Sequence, residues 1–231
     1  MLKTLATWIH GLLDARFLDR LTATPAGRAY LLNALTDAEE ADEKGVFDRL
    51  IGDIADPSLN KLVQRHRDDE IRHGELMTEC LRRNGYAREP HPDELRIVPY
   101  IARALGDGGD AYLEGRSGVF EAYAFLQVLE ERAVLMYPRF AGALGTHDPE
   151  TAEVVRSIAR DEQRHVKYAR AVCRRYAPDL QTLETTIARF RAAEATAFAE
   201  HGKATIRYLL SHDLLEVSFP ERVMWRAVAA A

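Results

Sequence analysis

Cysteine is almost missing from this 231-residue chain, which holds Cys80, Cys173 and no Cys-x-x-Cys pair. A thiolate zinc knuckle and a rubredoxin-type iron centre are thereby excluded within it, since each needs paired thiolates. Both cysteines fall in apolar helical settings and read as reduced core thiols. Long hydrophobic runs are missing too. Leu5 to Leu13 is too short to cross a bilayer, and Asp14 and Arg16 follow it without a small-residue cleavage site. The sequence therefore predicts a cytoplasmic protein with no transmembrane segment. No block of Lys and Arg occurs and the net charge is -5, which argues against a nucleic-acid partner bound by electrostatics. Strand-like alternation is nearly absent, so the predicted fold class is all-α.

The sparse Pro and Gly punctuation sits where helices should begin and end. Thr24-Pro25 supplies a cap and a proline at the first helical position, opening a segment that runs to about Ala55. Asp56-Pro57 opens a second, which reaches Arg83 and stops at Asn84-Gly85. Residues 86–116 break the pattern with Pro90, Pro92, Pro99 and a Gly-Asp-Gly-Gly run from Gly106 to Gly109, and read as one long connection. A third helix spans Gly118 to Leu144, Asp148-Pro149 opens a fourth to Tyr176, and a fifth follows Pro178. With 47% hydrophobic residues the chain can bury a full core, so residues 1–231 are taken as a single domain, with a core at about 25–176 and flanking helices at 1–22 and 180–231.

Two short hairpins joined by one long crossover is the topology of a four-helix bundle whose second hairpin packs on the first. The halves also match in sequence. Asp56-Pro57 corresponds to Asp148-Pro149, Asp69-Glu70-Ile71-Arg72-His73 to Asp161-Glu162-Gln163-Arg164-His165, and Arg82-Arg83 to Arg174-Arg175. This is an internal duplication of a helical hairpin.

A helix puts residues three apart on one face, so Glu-x-x-His aims a carboxylate and an imidazole into the same space. The motif occurs as Glu70/His73 and Glu162/His165, inside one repeated frame. Steps of three and four residues place these four on predicted core faces, together with His66 on the second helix, Glu40 and Glu43 on the first and Glu130 on the third. Buried carboxylates cost several kcal/mol, roughly, unless paired or coordinated. Cations in the core are the expected answer. Glu40 precedes Glu70 by 30 residues and Glu130 precedes Glu162 by 32, the separation that brings an antiparallel helix back to the same height. Glu39 and Glu131 compete for these places. The aromatics Phe47 and Tyr137, each seven positions after the chosen glutamate, favour Glu40 and Glu130. The predicted set is thus Glu40, Glu70, His73, Glu130, Glu162 and His165, with His66 as a seventh ligand or a neighbouring histidine. Oxygen-rich coordination with two imidazoles suits two iron ions, with manganese or a mixed Mn/Fe pair as alternatives. Asp69 and Asp161 are placed to orient the histidines, because a ligating imidazole commonly donates its other N–H to an oxygen.

The repeated pattern of Glu, about 30 residues, then Asp-Glu-x-x-His resembles the ferritin-like di-iron carboxylate superfamily. Met136-Tyr137-Pro138-Arg139-Phe140-Ala141 is similar to a segment of rubrerythrins in which the tyrosine lies beside the metals, which implies a catalytic place for Tyr137. His66, Glu70 and His73 form a His-x-x-x-Glu-x-x-His run similar to one in N-oxygenases, where it lies in the other half. The chain departs from rubrerythrins at Arg132 and Ala133, where they carry a second carboxylate, so their peroxidase chemistry is not carried over. The resemblance implies a ferritin-like four-helix bundle with additional N- and C-terminal helices. It further implies a non-haem di-iron oxidoreductase that activates O2 or peroxide, using an unnamed small-molecule substrate and electron donor. The alternative is a ferroxidase for which Fe(II) is itself the substrate. Leu2, Leu5, Trp8, Ile9, Leu12 and Leu13 form an amphipathic face expected to pack on the bundle or in a homodimer, with a membrane-surface role as the alternative.

Overall fold

The computed structural model describes residues 15–40, 46–106 and 118–230, and among these the chain is helical without a strand. Residues 15–22 are helical (α1). They are followed by α2 (Pro25–Glu39), α3 (Val46–Asp53), α4 (Pro57–Arg83), α5 (Ile97–Leu105), α6 (Val119–Leu144), α7 (Pro149–Tyr176), α8 (Leu180–Ser211) and α9 (Phe219–Ala230). The apolar face expected from Leu2 to Leu13 lies outside the described residues, as does Glu43. No described helix is long and apolar enough to cross a membrane.

The caps read from the sequence form as hydrogen bonds. Thr24 Oγ1 accepts from the Gly27 amide at 2.9 Å. Asp56 accepts from the Ser58 and Leu59 amides and Asp148 from Thr151, and Asp179, a further cap not read from the sequence, accepts from Thr182. Each satisfies amides that the first turn leaves without a partner. Gly85, at φ 70, takes the left-handed conformation just past α4. Two expectations need correction. The first helix does not run unbroken to Ala55, because α2 closes at Glu39 and a separate α3 follows. The long connection also holds structure of its own, a 3-10 turn (Asp93–Leu95) and α5. Pro99 falls in the first turn of α5, where its missing N–H would have no intrahelical acceptor, so this proline does not break a helix. Pro138 lies inside α6, which stays helical through it.

α2 packs on α4, α6 on α7, and the two pairs meet where α4 crosses α7. α3 lies on α4, while α8 runs against α5, α6 and α9. The crossover is fastened at the Leu95 carbonyl, which accepts from His91 Nε2 at 3.1 Å and from His201 Nε2 of α8 at 2.7 Å.

Two apolar clusters form the core, one including Leu32, Leu35, Met77, Tyr137, Leu144 and Ile158, the other Phe47, Val63, Tyr123, Ala169 and Val172. Each long helix passes from one cluster to the other. Along α4 the step from Val63 to Met77 crosses His66, Glu70 and His73, and along α7 the step from Ile158 to Ala169 crosses Glu162 and His165. Glu39 follows Leu35 on α2, and Glu130 lies between Val128 and Tyr137 on α6. The polar band is therefore walled by hydrocarbon at both ends. Water cannot readily solvate its charges from those directions.

Candidate metal centre

Four helices bring seven ionisable side chains together. Ligand atoms of His66, Glu70, Glu130 and His165 lie within 4.8 Å of one another, and so do those of Glu39, Glu70, His73 and Glu162. Glu70 belongs to both groups. All three histidines are fully buried, at 0% exposure.

Both Glu-x-x-His imidazoles present Nδ1 inward. His73 Nδ1 lies 3.1 Å from Glu39 Oε2 and 3.4 Å from Glu162 Oε1. His165 Nδ1 lies 3.0 Å from Glu70 Oε1 and 3.3 Å from Glu162 Oε2. Their Nε2 atoms face outward to aspartates of the opposite half: His73 to Asp161 at 3.2 Å and His165 to Asp69 at 3.4 Å. Arg72 donates to both Asp69, at 2.9 Å, and Asp161, and Arg164 reaches both as well, at 3.4 and 2.5 Å. Burial opposes ionisation of Asp69, but Arg72 and His165 hold it down at about 2, and Asp161 is held low in the same way by Arg72 and His73. An ionised aspartate can only accept, so each Nε2 carries a proton, and Nδ1 is the nitrogen left to bind a cation once its own proton is displaced.

His66 enters from one turn earlier on α4. Its Nε2 lies 3.1 Å from Glu130 Oε1 and 3.4 Å from Glu70 Oε1, and its ring packs on His165 with centroids 4.0 Å apart and on Phe47 at 4.7 Å.

Without a cation this band is short of positive charge, and protons make up the difference. Burial pushes Glu39 up to about 8 against the pull of His73, and burial together with the Glu130 carboxylate pushes Glu162 well above the carboxylate range. Burial acts in the same sense on Glu130 and Glu70. Bonds with Glu162, His165 and His66 nevertheless hold Glu130 well below its ordinary value, and His165 and His66 lower Glu70. Burial alone would lower the imidazoles, yet all three are raised, His66 and His165 chiefly by Glu130 and His73 chiefly by Glu39. Four carboxylates carry four negative charges, which two divalent cations would cancel. The donors also fit such ions: among the described residues, Glu70 Oε1 and Glu162 Oε1 are buried beside imidazole nitrogens at 3.0–3.4 Å without a well-aligned hydrogen bond, an arrangement costly in a protein interior unless something else binds there. The buried His and Glu groups can therefore hold metal.

Glu70, His73, Glu130, Glu162, His165 and His66 come together. Glu40 does not: it caps the end of α2 and pairs with Arg88 at 2.8 Å, and Glu39 occupies the place expected for it. The seven-residue step from Glu40 to Phe47 presumed a continuous helix, which α2 is not. The signal for Glu39 lay instead in Leu32 and Leu35, which precede it at helical steps of three and four and are buried with it. Glu131 points away from the centre and is bound by Arg191 at 2.7 Å and Gln127 at 2.9 Å. Tyr137 lies in the first apolar cluster, edge-on to Phe140 at 6.2 Å and two helical turns along α6 from Glu130.

In comparisons with known proteins, no family, no curated protein and no solved structure matches the chain significantly.

Proposed function

We propose that this chain is a non-haem di-iron oxidoreductase on a ferritin-like four-helix bundle, with α2 and α3 as the first helix, α4 as the second, α6 as the third and α7 as the fourth. The observation that carries the reading is that Glu70 belongs to both groups of converging ligand atoms, so that one carboxylate would serve two ions. Glu39 with His73 and Glu130 with His165 and His66 would complete the two sides, and Glu162 closes the set. Bound iron would supply redox steps toward O2 or a peroxide that no side chain here can perform.

The protein's own part follows from the geometry. Asp161 and Asp69 fix the tautomer that turns Nδ1 of His73 and His165 inward. Glu162 lies within reach of both inward nitrogens, 3.4 Å from that of His73 and 3.3 Å from that of His165, and would help hold an ion on either side. The apolar clusters at either end limit water and strengthen every charge interaction between them. Four carboxylates with three imidazoles and no thiolate favour iron over structural zinc, and manganese or a mixed Mn/Fe pair suits the same donors. A small-molecule substrate and an electron donor would come from outside the chain.

The test is reconstitution with Fe(II), elemental analysis, and O2 uptake with and without reductant. The proposal expects close to two ions per chain and a single turnover of O2 that is renewed only by reductant. One zinc with no second ion would sink it. Repeated turnover of excess Fe(II) without reductant would assign the centre to a ferroxidase instead.

A further inference from the structure

The two groups of ligand atoms do not have the same chemistry. The group of His66, His165, Glu70 and Glu130 offers two imidazole nitrogens and two carboxylates. The group of Glu39, Glu70, Glu162 and His73 offers one imidazole and three carboxylates. The internal duplication accounts for the matched part, Glu70/His73 with Glu162/His165. The residue that breaks the match is His66, since the corresponding position of α7, four before Glu162, is Ile158 in the apolar core.

His66 is also held differently from the other two histidines. Among the described residues no aspartate faces it and its buried Nδ1 has no hydrogen-bond partner; the ring is positioned by Phe47 and His165 instead. Its Nε2 already points between Glu130 and Glu70, so it needs no rearrangement to donate into that side.

Resting on the two-metal reading, we propose that His66 makes the centre unequal and gives it an order of filling that depends on the ion. Ions late in the first transition row, such as cobalt(II) and zinc(II), enter the nitrogen-rich side of His66 and His165 first. Manganese(II) enters the carboxylate-rich side of Glu39, Glu162 and His73 first. The reason is the preference of later divalent ions for imidazole and of manganese for carboxylate oxygen. One cobalt and one manganese offered together should accordingly assemble as an ordered mixed pair. Glu70, which belongs to both groups, would let either ion be felt by the other.

The experiment is an anaerobic titration of metal-free protein with cobalt(II), followed by visible absorption, on wild type and on the His66→Gln and His73→Gln variants. Circular dichroism of each variant checks that it is folded. Wild type should bind two ions in separable steps, the first tighter by about tenfold or more. His66→Gln should keep two ions but lose most of that gap, and His73→Gln should leave the first step and weaken the second. With one equivalent of manganese(II), pulsed electron paramagnetic resonance should show coupling to one imidazole nitrogen, lost in His73→Gln and kept in His66→Gln. Equal cobalt steps in wild type, or an equal effect of both variants on the first step, would overturn the inference while leaving a two-metal centre intact. A single ion bound under every condition would overturn both.

Discussion

Asp161 Oδ2 lies 3.2 Å from Nε2 of His73, a residue 88 positions away in the other half of the duplication. Asp69 does the same for His165, so each repeat orients the histidine of its counterpart. Replacing Asp161 or Asp69 by Asn removes the charge that fixes the tautomer and leaves the shape. We expect each variant to lose about 10- to 100-fold in metal affinity, measured by competition with a chelator of known affinity. Asp68→Asn, at an exposed residue paired with Arg67, is the control and should bind as wild type does. Equal losses at Asp68 and Asp69 would remove orientation as the cause.

Glu39 and Glu40 are neighbours in sequence with opposite surroundings, one buried against His73 and the other half-exposed against Arg88. Glu39→Gln should reduce the metal retained after gel filtration, because it takes a charged oxygen from one group of ligand atoms. Glu40→Gln should retain the wild-type amount and change stability by about 0.5 kcal/mol or less, as a partly exposed ion pair contributes little. The reverse order of metal loss would show that α2 ends later in the metal-bound protein.

The repeated Asp-Glu-x-Arg-His frame made most of the centre legible, because a helix fixes which residues share a face whatever it packs against. Caps were legible for a similar reason: Thr24, Asp56 and Asp148 act within one turn of their own position. The end of α2 was not. The run Thr36 to Glu40 holds no Gly or Pro to mark a stop, and the phase error of one residue followed from continuing a helix that stops. The exchange of Asp69, Arg72, Asp161 and Arg164 between halves was also hidden, since spacing gives only the local pairs Asp69–Arg72 and Asp161–Arg164. The cross-pairs exist only because α4 and α7 dock at this height. α5 was missed because Pro99 was read as a breaker, although a proline in the first turn costs no hydrogen bond.

Gly27 opens onto the backbone rather than onto space. A Cβ there would lie 1.9 Å from the Leu21 carbonyl oxygen and 2.8 Å from that of Leu214, neither of which can swing aside as a side-chain tip can. Gly27→Ala should destabilise the protein by about 3 kcal/mol through forced backbone shifts. At about 2–4 °C per kcal/mol for a chain of this size, melting should fall by about 6–12 °C. Metal stoichiometry at low temperature should be unchanged, because α2 carries Glu39 at its other end. A variant that melts with wild type would contradict this close approach of α1 and the α8–α9 connection to α2.

Stability of the metal-free protein should fall as pH rises from about 5 to 8, and metal should abolish that fall. Glu39, Glu162, His66, His73 and His165 all have raised values in the folded protein, with Glu39 at about 8. A raised group contributes stability that is complete below its unfolded value, about 4.3 for Glu and 6.5 for His, and lost as pH climbs through the folded value. Asp69 and Glu131, each at about 2, and Asp161, Glu70 and Glu130 are shifted the other way. Their contribution is present above about 4 and lost on acidification below it. Maximum stability should therefore lie near pH 5. One extra proton held by the folded state over the 2.5 units between pH 5.5 and 8 is worth about 3.4 kcal/mol, so melting at pH 8 should lie about 7–14 °C below that at pH 5.5. Two divalent ions take the place of those protons, so metal affinity must rise over the same interval and the loaded protein should be the more stable form at pH 8. Calorimetry of metal-free and manganese(II)-loaded protein at both pH values checks the sign. A metal-free protein that melts higher at pH 8 than at pH 5.5 would mean that the buried carboxylates are not held by protons, and that the charge of the band is balanced in some other way.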